Sequence, residues 1–573
     1  MSARATTLDS ATPLATWARF PEDDVVLLPE RRALSLFGRE PLVGGLLAAL
    51  AYCLVGVFIV PRYGVMTDAL ARVADAYYVL FGRGPHPEAI GFVWTPLPSV
   101  LMLPLVALKG LWAPFAQDAI AANIVSALAG GVAVFYLLRI LRRLGLPVGL
   151  RWAIAALFAL NPAVAFYATN GMSDLMMEAT MLGAIDGLWG YLEEGSFPSL
   201  LTSGVWVAVG FLTRYEVAFW AAVVAVALVV GLARQPLRRV STRSRGTWIA
   251  GLLLFWLAPL VCAVTTWVFV NWMIMGDPLY FVRSSYGNAS SIGSGAYVYG
   301  PLGLAHNSVG ETLAYVLHQA LLFPPVAIGL VGLVVFGLRG RYERHTRALI
   351  LVAATLGVPL LQVLLLYRGI SAGWLRFFLA FVPFGFVLVA YGAGLLAARW
   401  PRWPRWLAWA ACLVVLAGGN GVTYAMMAPA SSLHTQLHYE QLQRTSEDTP
   451  VVAYLDAHPA LAVLTDSFSS FPIIIKAQRP KQFIITSDVD FKSVLNYPFG
   501  RVDAFLVPRP TTVGALDAVN RRYPHLWSKG EPWAHLIAEF PGGYHWRLYA
   551  IDATGYQRPQ GVYWFHTCVT ACP

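Results

Sequence analysis

Apolar runs long enough to cross a bilayer recur along this chain, and short arginine clusters separate them. A hydrocarbon core of about 30 Å takes roughly 20 apolar residues of helix, and lipid offers no partner to an unpaired backbone group. Spans are expected at 42–60, 117–138, 151–168, 174–192, 198–213, 215–233, 247–270, 312–338, 347–366, 375–397 and 404–426, eleven in all. Composition agrees. Hydrophobic residues make up 57% of the 573 and charged residues 13%, against about 25% charged in soluble domains. The expected fold class is a polytopic α-helical membrane protein with a C-terminal α/β domain.

The net charge of +10 does not indicate a nucleic-acid partner. The arginines gather between apolar runs, as membrane topology requires. About forty mixed residues precede the first run and no small-residue cleavage site follows it, so no secretory signal is expected. Whether 93–111 also spans decides the topology. If it does not, the clusters at Arg139, Arg142, Arg143 and Arg151, at 234–245, at 339–347 and at 399–405 all share the cytoplasmic side with Arg31, Arg32 and Arg39. If it does, every later cluster moves outside, against the positive-inside rule. With Pro96, Pro98 and Pro104 the stretch is also a poor ordinary span. The expectation is a multi-pass protein of the cytoplasmic membrane, with a cytoplasmic N-terminus and an extracytoplasmic C-terminus. Its parts would be 1–41, a transmembrane unit 42–427 with a first outer loop 61–116, and an outer domain 428–573.

That loop carries the first acids beside the membrane. Met66, Leu70, Val73, Tyr77 and Leu80 share one face of a helix, with Asp68, Arg72 and Asp75 largely off it. This predicts a helix on the membrane surface that presents its acids away from lipid. His86 and Glu88 follow, flanked by Pro85 and Pro87. On the same outer side fall the turn 168–174 with Asp174, the corner Thr213-Arg214-Tyr215-Glu216, the loop 271–311 with Arg283 and Tyr286, and the turn 367–376 with Arg368 and Arg376. Acids and arginines on one membrane face suit a substrate whose charged part lies at the interface.

After Ala428 hydropathy falls. LAVLTDS, QFIITSD, VDAFLVP, HLIAEF and YHWRLYA read as strands, and SFPIIIKAQ, DFKSVLN and TVGALDAVNRRYPHLW as helices. The alternation predicts a partly parallel sheet, with a hairpin through Pro541-Gly542-Gly543. His434 and His438 have metal-compatible spacing but no third ligand. Cys568 and Cys572 are compatible with a disulfide outside the cell.

An acid on a surface helix after the first span, a proline-bearing amphipathic stretch and an Asp after the third span together resemble the layout of GT-C superfamily glycosyltransferases. Protein O-mannosyltransferase-like and aminoarabinose transferase-like enzymes are the nearest in layout. Tyr167-Ala-Thr-Asn-Gly-Met-Ser-Asp174, Phe211-Leu-Thr-Arg214-Tyr-Glu216 and Leu375-Arg376-Phe-Phe resemble segments of that group. The resemblance implies transfer of a sugar, usually with inversion, from a polyprenyl-phosphate donor to an acceptor hydroxyl on protein, lipid or polysaccharide. It implies Asp68 as general base, with Asp174 as the second candidate acid, and Arg376 as the phosphate ligand. Thr67 stands where many relatives carry a first acid, so a divalent metal is left open and no other cofactor is expected.

Each candidate has a plainer reading. Asp174 makes a good helix cap, Asp75 a solvated acid, His86 and Glu88 a turn, Arg376 a snorkelling arginine. Arg368 and Arg283 are weaker phosphate ligands, and Tyr286 could stack on sugar. Arg214 and Glu216 read as a structural pair. The competing function is a transporter or lipid flippase, which favours inverted repeats and mid-membrane charges; neither is evident. A scaffold acting through its tail domain is the third reading.

Overall fold

The computed structural model describes residues 39–234, 242–293, 306–337, 342–399, 404–426 and 446–554. The histidines at 434 and 438 and the cysteines at 568 and 572 lie outside them.

The first half runs α1 (Arg39–Phe58), α2 (Thr67–Phe81), α3 (Leu97–Val106), α4 (Pro114–Gln117), α5 (Ile120–Arg143), α6 (Val148–Ala159), α7 (Pro162–Thr169), α8 (Asp174–Glu194) and α9 (Phe197–Thr213). Then come α10 (Glu216–Ala233), α11 (Thr242–Met275), the short α12 (Tyr280–Arg283) and α13 (Asn288–Gly293), α14 (Val309–Leu321), α15 (Pro324–Gly337), α16 (Tyr342–Tyr367), α17 (Phe381–Arg399) and α18 (Arg405–Met426). Among the described residues seven helices are long and apolar enough to cross a membrane, or nine if each bent pair is one span. The chain is a multi-pass membrane protein.

Each expected span coincides with a helix or a bent pair, but two expected single helices are broken. Residues 151–168 divide at Asn161-Pro162, with 63° between α6 and α7. Pro162 cannot donate, and Asn161 accepts from the Ala163 and Val164 N–H groups to start α7. Asn161 also donates to Asn420 (2.8 Å), which donates to the Leu157 carbonyl (2.7 Å), so the backbone freed at the break is bonded within the protein. Residues 312–338 divide before Pro324-Pro325, with 99° between α14 and α15. The stretch Leu97–Gly110 is helical but, at about 1.5 Å per residue, too short to cross alone.

Helices α1 and α5 approach through small residues. A Cβ on Gly131 would stand 2.6 Å from both the Gly45 carbonyl and the Ala49 Cβ, so only glycine permits this contact. At one end of the bundle Asp186 of α8 accepts from both Arg139 and Arg143 of α5 (2.7 Å each), and Glu193 pairs with Arg143 (2.9 Å) and Arg347 (2.8 Å). Part of the arginine clustering is therefore spent on ion pairs between helices.

The C-terminal part holds a five-stranded sheet in the order β2-β1-β3-β5-β4. The strands are β1 (Val463–Leu464), β2 (Phe483–Ile484), β3 (Ala504–Pro508), β4 (Ala534–Phe540) and β5 (Trp546–Ile551). β1 pairs parallel with β2 and β3; β5 pairs antiparallel with β3 and β4. All five strands fall on the segments read as strands. The expected helix 512–527 is instead three short ones, Thr512–Leu516, Ala518–Arg522 and Leu526–Lys529. Asp517 interrupts it by capping the second piece through the Val519 and Asn520 N–H groups.

The period-two alternation of β3 shows how this part sits. Ala504 and Leu506 belong to the apolar core continuous with the membrane helices, while Phe505 and Val507 belong to a second core on the other face. One side of the sheet thus packs, through the helix Ser467–Lys476, toward α2 and α4. The expectation of α2 as a helix whose acids face solvent is corrected by this contact. Met66, Leu70, Val73 and Tyr77 are buried as expected and Leu80 is half-buried, but Ala69, Arg72, Ala74, Ala76 and Tyr78 are buried as well.

Candidate functional site

Between the membrane helices and the C-terminal part lies a cavity of about 1580 Å³. Its floor is one stripe of α2, Asp68, Arg72, Asp75 and Tyr78, at the three- and four-residue spacing that keeps side chains on one helix face. Its walls come from residues 86–95, the Arg214 corner, the end of α11, α16 and the turn 370–377; Ser467, Phe468, 486–490 and Tyr544 roof it.

Asp68 opens on this cavity and accepts from Arg376 Nη2 at 2.8 Å. Arg376 is buried, its guanidinium 3.8 Å from the Trp374 ring centre. It holds one carboxylate oxygen in place, and a charge-assisted bond of this kind is about twice as strong as a neutral one.

Arg72, one helical turn on, is only 8% exposed. It donates to the Thr95 carbonyl at 3.4 Å and lies over the Trp94 ring at 4.8 Å. Among the described residues no carboxylate is within ion-pair reach of it. Burial, then the like charge of Arg214, pull its pKa down to about 10, which still leaves it charged at neutral pH. A buried guanidinium that makes no ion pair among the described residues, on the cavity floor and only partly balanced by the fields of Asp75 and Asp68, is a place for an anion.

The third arginine is committed. Arg214 pairs with Asp174 (2.8 Å) and Glu216 (2.6 Å). Asp174 is fully buried and does not line the cavity, whereas its partner Arg214 does. Behind it Glu178 is also fully buried, with neither carboxylate oxygen bonded.

With this geometry in view, residues 101–267 match the family model of dolichyl-phosphate-mannose-protein mannosyltransferases. Over that stretch, under a third of its length, the chain is similar to these membrane mannosyltransferases. Among solved structures it is similar to the apo oligosaccharyltransferase of Archaeoglobus fulgidus, at 10% identity, covering 91% of this chain and 75% of that one, with a TM-score of 0.43. The same archaeal enzyme in complex with an inhibitory peptide and a dolichol-phosphate is similar at 12% identity, with the same coverage and TM-score. No curated protein matches the chain.

The other expected residues divide. Asp75 lines the cavity with no hydrogen bond or ion pair of its own among the described residues. Burial drives its carboxyl well above the usual range, opposed in part by Arg72. His86 and Glu88 line the cavity too, and His86 Nε2 sits 3.0 Å from the Ser487 carbonyl, which ties the first loop to the roof. Arg83 beside it pairs with Asp490 and Asp488. Tyr286 borders the cavity, but its hydroxyl donates to Asp466 at 2.9 Å and its ring lies against Phe468, so it clamps the α12–α13 segment to the roof. Arg368 and Arg283 are exposed and do not line the cavity; Arg283 pairs with Asp277 at 3.4 Å.

Sequence reasoning passed over Arg72 and Gln362, which also lines the cavity. The signals were an arginine four residues after the candidate base and a lone glutamine inside an apolar run. A divalent metal does not fit at Asp68. Its carboxylate faces a guanidinium, and among the described residues no three of His, Cys, Asp and Glu converge as ligands.

Proposed function

We propose that this protein is a membrane glycosyltransferase that moves a sugar from a polyprenyl-phosphate donor to an acceptor hydroxyl, with inversion, at the outer face of the cytoplasmic membrane. The observation that carries the reading is the stripe on α2: a carboxylate aligned by Arg376, and one turn away a buried arginine that lacks an acid partner. Asp68 takes the proton as the acceptor oxygen attacks the anomeric carbon. The bond from that carbon to the phosphate oxygen breaks, and the electron pair leaves with the polyprenyl phosphate. Arg72 holds the charge that develops there, in a site screened from bulk water. Arg376 orients the base, so phosphate binding moves from Arg376, where the family layout suggested it, to Arg72.

Two further features support the reading. Met273, Ile274, Leu361 and Leu365 give the cavity an apolar side at the membrane helices, suited to a lipid chain. The positive-inside arrangement of the arginine clusters supports an outer position for the cavity and its roof. In the test, purified protein in lipid nanodiscs is offered a panel of polyprenyl-phosphate sugars. One donor should be turned over, and Arg72→Met should weaken binding of that donor by roughly tenfold or more. Full donor affinity in Arg72→Met would remove the phosphate assignment.

A further inference from the structure

Gln362 stands in the apolar run Val358-Pro-Leu-Leu-Gln362-Val-Leu-Leu-Leu366 of α16. A buried amide is costly unless bonded, so this position needs an account. The side chain is 2% exposed and lines the cavity. Its carbonyl Oε1 accepts from Ser371 Oγ at 2.7 Å. Ser371 Oγ in turn accepts from the Gly373 N–H at 3.1 Å, which leaves the serine proton to point at Gln362. Tyr315 fixes that turn by donating to the Gly373 carbonyl at 2.6 Å. The amide is thus oriented by three linked bonds, and its Nε2 donor has no acceptor among the described residues.

Its neighbours define what it meets. Leu361 and Leu365 belong to the apolar side of the cavity, and Arg376 and Trp374, in the turn that orients Gln362, to the polar side. Gln362 therefore marks the border between a lipid chain and a charged head. We propose that Gln362 is a phosphate-binding residue, its Nε2 donating to an oxygen of the lipid-linked phosphate while Ser371 sets the amide's direction. This rests on the lipid-phosphate reading above and adds the group that sets the depth of the phosphate. A neutral donor here binds the anion without adding a fourth arginine to a site where Arg72 and Arg214 already repel.

The experiment compares binding of polyprenyl phosphate and of uncharged polyprenol to the full-length protein in nanodiscs. The proteins are wild type, Gln362→Leu, Gln362→Glu and Ser371→Ala, each checked for an unchanged melting temperature. Gln362→Leu should lose roughly tenfold in polyprenyl phosphate affinity with polyprenol unchanged. Gln362→Glu should lose more, and Ser371→Ala, which keeps the donor but frees its direction, should fall between wild type and Gln362→Leu. Equal loss for both lipids would make Gln362 a packing residue and overturn the proposal, as would wild-type phosphate affinity in Gln362→Leu. Should Gln362→Leu fail to fold, Ser371→Ala decides alone by the same comparison. A wild type that binds both lipids equally would refute the lipid-phosphate donor itself, which separates that failure from this one.

Discussion

Replacing Arg214 by Met should unfold the cavity end of the bundle more readily than any single change at the cavity surface. Its guanidinium side chain is 12% exposed and serves Asp174, at 0%, and Glu216, at 17%. Methionine fills similar volume, so the loss is mainly that of the charge. Two buried carboxylates then lose their cation, with the unbonded Glu178 close behind. Breaking a buried pair by removing one partner costs about 3–5 kcal/mol, because the other charge stays buried. Solvent screening is small at this burial, so that range applies without much discount. The assay is equilibrium unfolding in mixed micelles titrated with a denaturing detergent, followed by tryptophan fluorescence. Arg214→Met combined with Asp174→Asn and Glu216→Gln should recover most of the loss, since no bare charge remains. A loss under about 1 kcal/mol in the single variant would refute the reasoning, because it would show that water already screens these acids.

Glu178→Met should raise stability in the same assay by about 1–3 kcal/mol, the cost of a buried polar group left unbonded; a fall of that size would mean that Glu178 has a partner in the working protein. In the C-terminal part, burial and then the charge of Asp466 push Asp517 up to about 8; burial raises Asp466 as well. Both folded values lie above the unfolded carboxylate value of roughly 4, so their contribution is complete below that pH and is lost as pH rises through about 8. Hydrogen exchange over 446–554 should therefore quicken from pH 5 to pH 8, after correction for intrinsic rates. Asp517→Asn, which keeps the helix cap, should flatten that dependence; an unchanged slope would contradict it.

Much of the helical architecture was legible because lipid leaves so few choices. Apolar runs bounded by arginines mark helices whatever their neighbours, and the five strands followed from short β-branched and aromatic runs between turn residues. The breaks at Asn161-Pro162 and Pro324-Pro325 were signalled by proline but were absorbed into long apolar runs. The surroundings of α2 were not legible. Its period gave the helix, yet Arg72 is covered by Trp94 and Thr95, and Tyr78 lies near Asp466 and Asp488 of a part about four hundred residues later that folds back over it, as the contacts of Arg83 with Asp490 and His86 with Ser487 show. The same long-range closure turned Tyr286 from a sugar-stacking candidate into a clamp on Asp466. Asp174 illustrates a different limit. Sequence placed it correctly at the start of α8, but one helical turn decides whether an acid faces a cavity or stands behind an arginine.

The central claim is that Asp68 is the base for sugar transfer from a lipid phosphate. The most direct measurement is single-turnover transfer from the donor that the panel identifies, with protein in excess, comparing wild type with Asp68→Asn. Asparagine keeps the shape and still offers an oxygen to Arg376, so donor binding should persist while the rate falls by about 10² to 10⁴. A wild-type rate in Asp68→Asn, with donor bound and product formed, would contradict the account.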